Sequence, residues 1–199
     1  MRTLALAALL VPGLAAADNH FLLELEAGLA RPIGLDAESD LGSAYGGTFG
    51  FGGRIPGFAP AYYLVGRVAH SSFSFVGAPR VGKPDVDHGE LEVAVGGRVY
   101  LPVAERLRLV FQLALGETFG ETEIKREGTR ELLAETETFT VFGEVGAQYR
   151  VTEHFSLGAA ADASYLPDRD AFNVVKTAAG LDDDGVGRLR LSLTTTFHF

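Results

Sequence analysis

Apolar and polar residues alternate with a period of two along most of the chain after residue 20. In the first such stretch, Phe21, Leu23 and Leu25 share one face, and Glu24 and Glu26 lie on the other. Successive side chains of a strand point to opposite faces, so this alternation predicts β-strands rather than helices. The same pattern predicts eight strands, near residues 21–30, 44–52, 62–69, 86–101, 107–119, 138–150, 155–165 and 188–199.

The connections between these strands alternate in length. Short ones are predicted at residues 54–60, 102–106 and 151–154, and longer polar ones near 33–43, 70–86, 120–137 and 166–186. An even number of antiparallel strands, with short turns at one end and long loops at the other, is typical of an outer-membrane barrel. The pattern therefore predicts an all-β fold, an eight-stranded antiparallel up-and-down transmembrane β-barrel.

A secreted soluble barrel of the lipocalin kind would show the same alternation, with the apolar set lining a ligand cavity. Two features oppose it. The lysines, Lys83, Lys125 and Lys176, all fall in predicted loops, whereas a solvent-facing sheet usually carries lysine. Aromatic residues of the apolar set gather at the two strand ends, as in the girdles that mark the interfaces of a membrane. They are Phe21, Phe51, Tyr62, Tyr149, Phe155, Phe197 and Phe199 at the short-turn end, and Tyr45, Phe119, Phe139 and Tyr165 at the long-loop end.

The first residues of the chain have the layout of a secretory signal peptide. Arg2 precedes an apolar run over residues 4–14, and three alanines follow at residues 15–17. The run is shorter than the ~20 residues that a membrane helix needs. We therefore predict a signal peptide over residues 1–17 and a single barrel domain over 18–199, exported without cysteine to form disulfides.

Composition excludes some partners. The net charge of −9 argues against nucleic acid, whose binding depends on basic surface. No metal-ligand spacing of histidines is present, and we predict no cofactor and no metal.

The last eleven residues, LRLSLTTTFHF, alternate as a strand and end on Phe199. This tail, with Phe197 and Phe199, resembles the signal that bacterial outer-membrane barrels present to the barrel-assembly machinery. Residues 18–199 as a whole resemble the small barrels of the OmpA, OmpX and Ail type. The resemblance implies a multi-pass barrel in the bacterial cell outer membrane, in contact with lipid and lipopolysaccharide. It also implies the assembly machinery as a partner and a possible surface ligand on the long loops.

The inward-facing set carries equal numbers of acids and bases. The interior of an eight-stranded barrel is only wide enough to be filled by side chains, so the balance predicts a packed, ion-paired network rather than an aqueous channel. A narrow pore for small or apolar solutes is the alternative. The predicted network comprises Glu24, Glu26, Arg67, Glu90, Glu92, Arg98, Arg108, Glu144, Arg150, Asp162, Arg188 and Arg190.

A second resemblance concerns catalysis. The stretch RVAHSS, residues 67–72, is similar to the Arg-x-x-His-x-Ser stretch of outer-membrane lipid A deacylases. That resemblance implies His70 as base and Ser72 as nucleophile, which are neighbours on one strand face. The asparagine that follows the serine in those enzymes is Phe73 here, and no acid is clearly placed to orient the histidine, although Asp85 or Asp87 could approach it. A strand end entering a polar loop explains the stretch without catalysis.

These observations predict a non-enzymatic outer-membrane barrel with a structural or surface-interaction role. A lipid A deacylase-like hydrolase and a porin-like narrow pore are the alternatives.

Overall fold

The chain forms one closed β-barrel in a computed structural model that describes residues 20–33, 41–55, 58, 60–75, 85–126, 129–167, 173, 175, 177, 178 and 187–199. The predicted signal peptide and most of the segments 34–40, 76–84 and 168–186 lie outside the described residues. The strands are β1 His20–Ile33, β2 Gly42–Arg54, β3 Ala61–Phe75, β4 Asp85–Pro102, β5 Leu107–Arg126, β6 Thr129–Arg150, β7 Phe155–Tyr165 and β8 Gly187–His198.

Each strand pairs antiparallel with its sequence neighbours, and β8 returns to pair with β1. The seam between them is an antiparallel ladder from Leu22–His198 to Ile33–Gly187, and two further backbone hydrogen bonds extend it at its end. The N–H of Phe21 donates to the carbonyl of Phe199 at 3.1 Å, and the N–H of Phe199 donates to the carbonyl of Phe21 at 2.9 Å. The predicted eight-stranded antiparallel up-and-down barrel is confirmed, and its last strand is the one that closes it.

The alternation along the strands separates an apolar outer wall from a largely polar interior. On β1, the side chains of Phe21 and Leu25 are 46% and 53% exposed, whereas Glu24 between them is 1% exposed. The outer wall follows the same rule on β8, where Leu191 and Leu193 face outward and Arg190 faces inward. Among the described residues, no helix is long and apolar enough to cross a membrane.

The connection predicted near residues 120–137 is wrong. Strand β5 continues to Arg126 and β6 begins at Thr129, so most of this stretch is a paired hairpin. Polar residues lie on both faces of this hairpin, including Glu121, Thr122 and Thr136. The alternation of apolar and polar residues disappears there because neither face of the hairpin belongs to the apolar outer wall. The backbone pairing nevertheless continues.

The two ends of the barrel differ. We call the end with the connections 55–60, 103–106 and 151–154 the turn end, and the opposite end the loop end. Aromatic pairs lie on the outer wall near the turn end, with ring centroids 5.1 Å apart for Phe21 and Phe51 and 5.4 Å apart for Phe155 and Phe197.

Candidate functional site: the barrel interior

The interior nearest the turn end is an apolar and aromatic layer. This turn-end layer consists of Leu22, Tyr63, Val65, Tyr100 and Val110, all buried and in mutual contact. The rings of Tyr63 and Tyr100 meet edge to face, with centroids 5.4 Å apart.

Arg108 lies beside this layer. Its guanidinium carbon is 4.3 Å from the centre of the Tyr100 ring, a cation–π contact. The guanidinium also donates to Gln148 Oε1 at 2.9 Å and to Ser156 Oγ at 3.0 Å, and it contacts the imidazole of His198. Among the described residues no carboxylate contacts Arg108, although the sequence predicted Arg108 as a member of the ion-paired network.

Above the turn-end layer lies a small ionic cluster centred on Arg98, which we call the lower cluster. Arg98 Nη1 is 2.8 Å from Glu24 Oε1, and Arg98 Nη2 donates to Glu144 Oε1 at 3.2 Å. Its Nε donates to Gln112 Oε1 at 2.6 Å. Glu24 accepts further hydrogen bonds at Oε2, from Gln148 Nε2 at 2.6 Å and from the hydroxyl of Thr196 at 2.7 Å.

A larger ionic cluster, the upper cluster, occupies the middle of the barrel. Arg67 lies at its centre, because its two terminal nitrogens donate to Glu26 and Glu92, carboxylates from two other strands. Its guanidinium carbon lies 4.2 Å from the centre of the Phe142 ring. Space for these long side chains comes from a small residue on β2, since a Cβ at Gly46 would lie 2.6 Å from Glu26 Oε1.

The other two arginines of the upper cluster come from β8. Arg190 Nε donates to Asp162 Oδ1 at 2.6 Å and its Nη2 to Glu92 Oε1 at 3.2 Å. Arg188 donates to Glu90 and to Glu92, so Glu92 accepts from three arginines. Glu92 Oε2 also accepts from Ser164 at 2.7 Å. Planar guanidinium groups suit such shared carboxylates because each offers several donors in a fixed geometry.

The interior nearest the loop end is apolar again. This loop-end layer consists of the buried residues Ala30, Ala44, Phe73, Phe75, Val86, Leu166 and Val175. Val175 is helical and comes from the connection between β7 and β8, so this connection contributes a side chain to the mouth of the barrel. An apolar layer therefore covers the ionic clusters at the loop end, whereas the turn-end layer lies beside the polar group around Arg108.

The structure brings together all the predicted acids and four of the six predicted arginines. Arg67, Arg98, Arg188 and Arg190 are fully buried, but Arg150 is exposed at the end of β6. The alternation predicts which face of the sheet a side chain lies on, but not its position along the barrel axis. Arg150 follows the inward pattern, but it lies past the end of the buried interior. With Arg108 also set apart, the described interior holds more carboxylates than fully buried arginines.

Several members of the network other than acids and arginines were missed by the count of acids and arginines. Gln112, Gln148 and Ser164 each make a hydrogen bond to an ionic group, and His88 Nε2 lies 3.2 Å from Glu90 Oε1. All four occupy inward positions of the alternation. Their facing was therefore readable from the sequence, whereas their partners on other strands were not.

His70 and Ser72 lie half-buried on the outer wall near the loop end. The ring of His70 packs on Tyr45, with centroids 5.0 Å apart. Asp87 instead accepts a hydrogen bond from Ser74 at 2.8 Å and lies level with Ser74 in the strand register, whereas Leu91 is level with His70. The described contacts do not assemble His70, Ser72 and an acid into a triad, and no group of metal-binding side chains is found among the described residues.

Comparisons with known proteins identify the fold. No family model and no curated protein matches the sequence. Among solved structures, Neisserial surface protein A is 13% identical, with a TM-score of 0.54 over 91% of this chain and 97% of that one. The attachment invasion locus protein Ail of Yersinia pestis is 14% identical, with a TM-score of 0.52 over 92% and 99%.

A major outer membrane protein of Thermus thermophilus is 13% identical, with a TM-score of 0.55 over 92% of this chain and all of that one (100%). At these identities the likeness establishes the fold alone. The predicted resemblance to small outer-membrane barrels is confirmed at that level.

Proposed function

We propose that this protein is a sealed, non-conducting barrel of the bacterial outer membrane, which serves as a scaffold for surface interaction rather than as a pore or an enzyme. The observation that carries the proposal is the sequence of layers inside the barrel. Two ionic clusters fill the middle, an apolar layer covers them at the loop end, and packed aromatic and polar side chains around Tyr100 and Arg108 fill the turn end. A solute moving along the axis meets packed side chains at both mouths and in the middle.

The apolar outer wall supports a location in lipid. Leucines and valines face outward along the strands, and exposed aromatic residues lie toward both ends of the wall, including Tyr149 near the turn end and Tyr165 near the loop end. Exposed apolar surface of this extent is rare on soluble proteins and typical of a membrane-facing barrel. The outer-membrane proteins that share the fold support the same location.

The surface role rests on the part of the structure outside the apolar band. The β5–β6 hairpin extends past the end of β7 pairing at Val141 and carries the exposed carboxylates Glu121, Glu135 and Glu137. Two proteins of the same fold are named for the cell surface or for attachment. This supports a role in which the barrel holds the hairpin outside the membrane.

The location is tested by fractionation and gel mobility. The chain, expressed in a Gram-negative host, should fractionate with the outer membrane and migrate faster on unheated than on heated gels. Recovery as a detergent-free periplasmic monomer would refute the proposal.

A further inference from the structure

Arg108 is a half-buried cation that contacts no carboxylate of the described residues. Its Nη2 donates to Gln148 and Ser156 and contacts the imidazole of His198, and none of these partners carries a negative charge. Its Nε is buried and, among the described residues, has no hydrogen-bond partner. Glu24 acts on Arg108 through space, but both oxygens of Glu24 are held within the lower cluster. A guanidinium withdrawn from water without an anion is energetically costly, so this position favours a negatively charged ligand.

A second arginine lies at the same end of the barrel. Arg150 comes two residues after Gln148 on β6, and Gln148 is level with Arg108 in the strand register. Both arginines therefore follow the inward pattern of the alternation, and the charge of Arg150 acts unfavourably on Arg108. Arg150 is exposed, and among the described residues neither Glu105 nor Glu153 of the adjacent turns forms an ion pair with either arginine. Two like charges thus lie at one mouth of the barrel without a carboxylate from the described chain.

Tyr63 adds a neutral donor to these two cations. The charges of Arg108 and Arg150 both act on its hydroxyl, and no described residue forms a hydrogen bond with that hydroxyl. The Tyr63 ring packs edge to face on Tyr100, at 5.4 Å between centroids, and the guanidinium of Arg108 lies 4.3 Å from the centre of the Tyr100 ring. Packing on Tyr100 therefore fixes two of the three donor groups, and only the Arg150 side chain has to be ordered when a ligand binds.

We propose that Arg108, Arg150 and Tyr63 form an oxyanion site at the turn-end mouth of the barrel and that its ligand is a phosphate group. Guanidinium groups bind phosphate and carboxylate through paired hydrogen bonds. A carboxylate offers two acceptor oxygens in one plane, whereas a phosphate monoester offers three, which suits donors from three different strands. Two sources share this chemistry, a lipid headgroup at the rim and a soluble phosphorylated solute. The site goes beyond the proposed surface role, since it lies at the opposite end from the β5–β6 hairpin.

The test measures phosphate binding to the folded barrel in maltoside micelles, which contain no phosphate of their own. Arginine labelled with a heavy nitrogen isotope reports binding by NMR through its Nε–H resonances, one of which belongs to the buried Nε of Arg108. Inorganic phosphate is titrated near neutral pH at constant ionic strength, with acetate as the carboxylate control. In a second arm, short-chain phosphatidylglycerol is added to the micelles instead, with an uncharged diacylglycerol as its control.

The Arg108 and Arg150 resonances should shift in a saturable manner, and acetate at the same concentration should shift them less. A response to inorganic phosphate, with or without one to the lipid, supports a site open to soluble ligands. A response to phosphatidylglycerol alone assigns the site to the headgroup. An equal response to acetate, or no response in either arm from a heat-modifiable barrel, would overturn this inference while leaving the proposed function standing.

Two variants and a matched control locate the ligand. Arg150→Gln removes an exposed cation and should weaken phosphate binding by about tenfold or more, because at least one charge-assisted hydrogen bond is lost. Tyr63→Phe keeps the ring in the turn-end layer and should weaken binding by about threefold or more, since only the hydroxyl is lost. The control Arg106→Gln removes an exposed arginine from the turn 103–106 and should change the affinity by less than about twofold. Equal losses in Arg106→Gln and Arg150→Gln would show diffuse attraction to a basic surface and overturn the proposal.

Discussion

Removing the guanidinium of Arg67 should leave a buried carboxylate without a charged partner. The side chain of Arg67 is fully buried and donates to Glu26 and Glu92. Glu92 keeps Arg188 and Arg190 as partners when Arg67 is lost, but Arg67 is the cation that contacts Glu26 in the described structure. The variant Arg67→Met, which retains much of the volume, isolates the electrostatic loss from a cavity.

The expected loss is set by the charge left behind. Breaking a buried ion pair by removing one partner costs about 3–5 kcal/mol, because the remaining charge is desolvated without compensation. Neutralising that charge as well, in the double variant Arg67→Met/Glu26→Gln, should recover at least about 2 kcal/mol of the loss, since replacing a whole pair is often close to neutral. His70→Ala, on the outer wall, should change stability by less than about 0.5 kcal/mol.

The measurement is equilibrium urea unfolding in lipid vesicles. The chain has no tryptophan, so far-UV circular dichroism and the fraction of heat-modifiable band serve as probes. A change of midpoint with an unchanged slope reports stability. A loss below about 1 kcal/mol for Arg67→Met would refute the reasoning and indicate that water solvates Glu26. A double variant no better than the single one would show that packing, rather than charge, sets the loss.

The remaining predictions concern the tail, the loop-end layer and the outer wall. Phe199→Ser should lower the yield of inserted barrel more than Phe58→Ser at an exposed turn position, and equal yields would count against the tail as an assembly signal. Phe75→Ala should destabilise the barrel by about 3–5 kcal/mol because of the cavity it leaves. The variant should still not conduct ions, because the ionic clusters fill the interior below this layer, and conductance steps would contradict this. His70→Ala and Ser72→Ala should leave the acyl chains of lipid A in the host unchanged, and a difference from wild type by mass spectrometry would favour the hydrolase.

The strands and their facing were predictable because lipid and interior impose opposite demands on alternate residues. In any barrel of this type, Leu25 and Leu191 face outward, and Glu24 and Arg190 face inward. The two-residue period was therefore enough to predict the fold. The part of the β5–β6 hairpin beyond the apolar outer wall was not predictable in the same way. Around Thr122 and Thr136 both faces meet polar surroundings, and the period vanishes although the strands continue.

The contacts inside the barrel were beyond the sequence for a different reason. Arg188 meets Glu90 and Glu92 across the barrel, and such partners depend on the stagger of strands far apart in the chain. The alternation also does not give the position of a residue along the barrel axis. Arg150 was therefore predicted to lie in the interior, although it lies at an exposed strand end. Phe142 faces inward as the alternation predicts. Its contact with the guanidinium of Arg67 follows only from the closed structure.

The most direct test of a filled, sealed interior is the electrical behaviour of the wild-type barrel in a planar lipid bilayer. Insertion is verified on the same preparation by heat-modifiable mobility. The account predicts no steady conductance, because packed side chains fill both ends and the ionic clusters fill the middle. Reproducible conductance steps from the inserted wild-type protein would contradict it and identify the barrel as a pore.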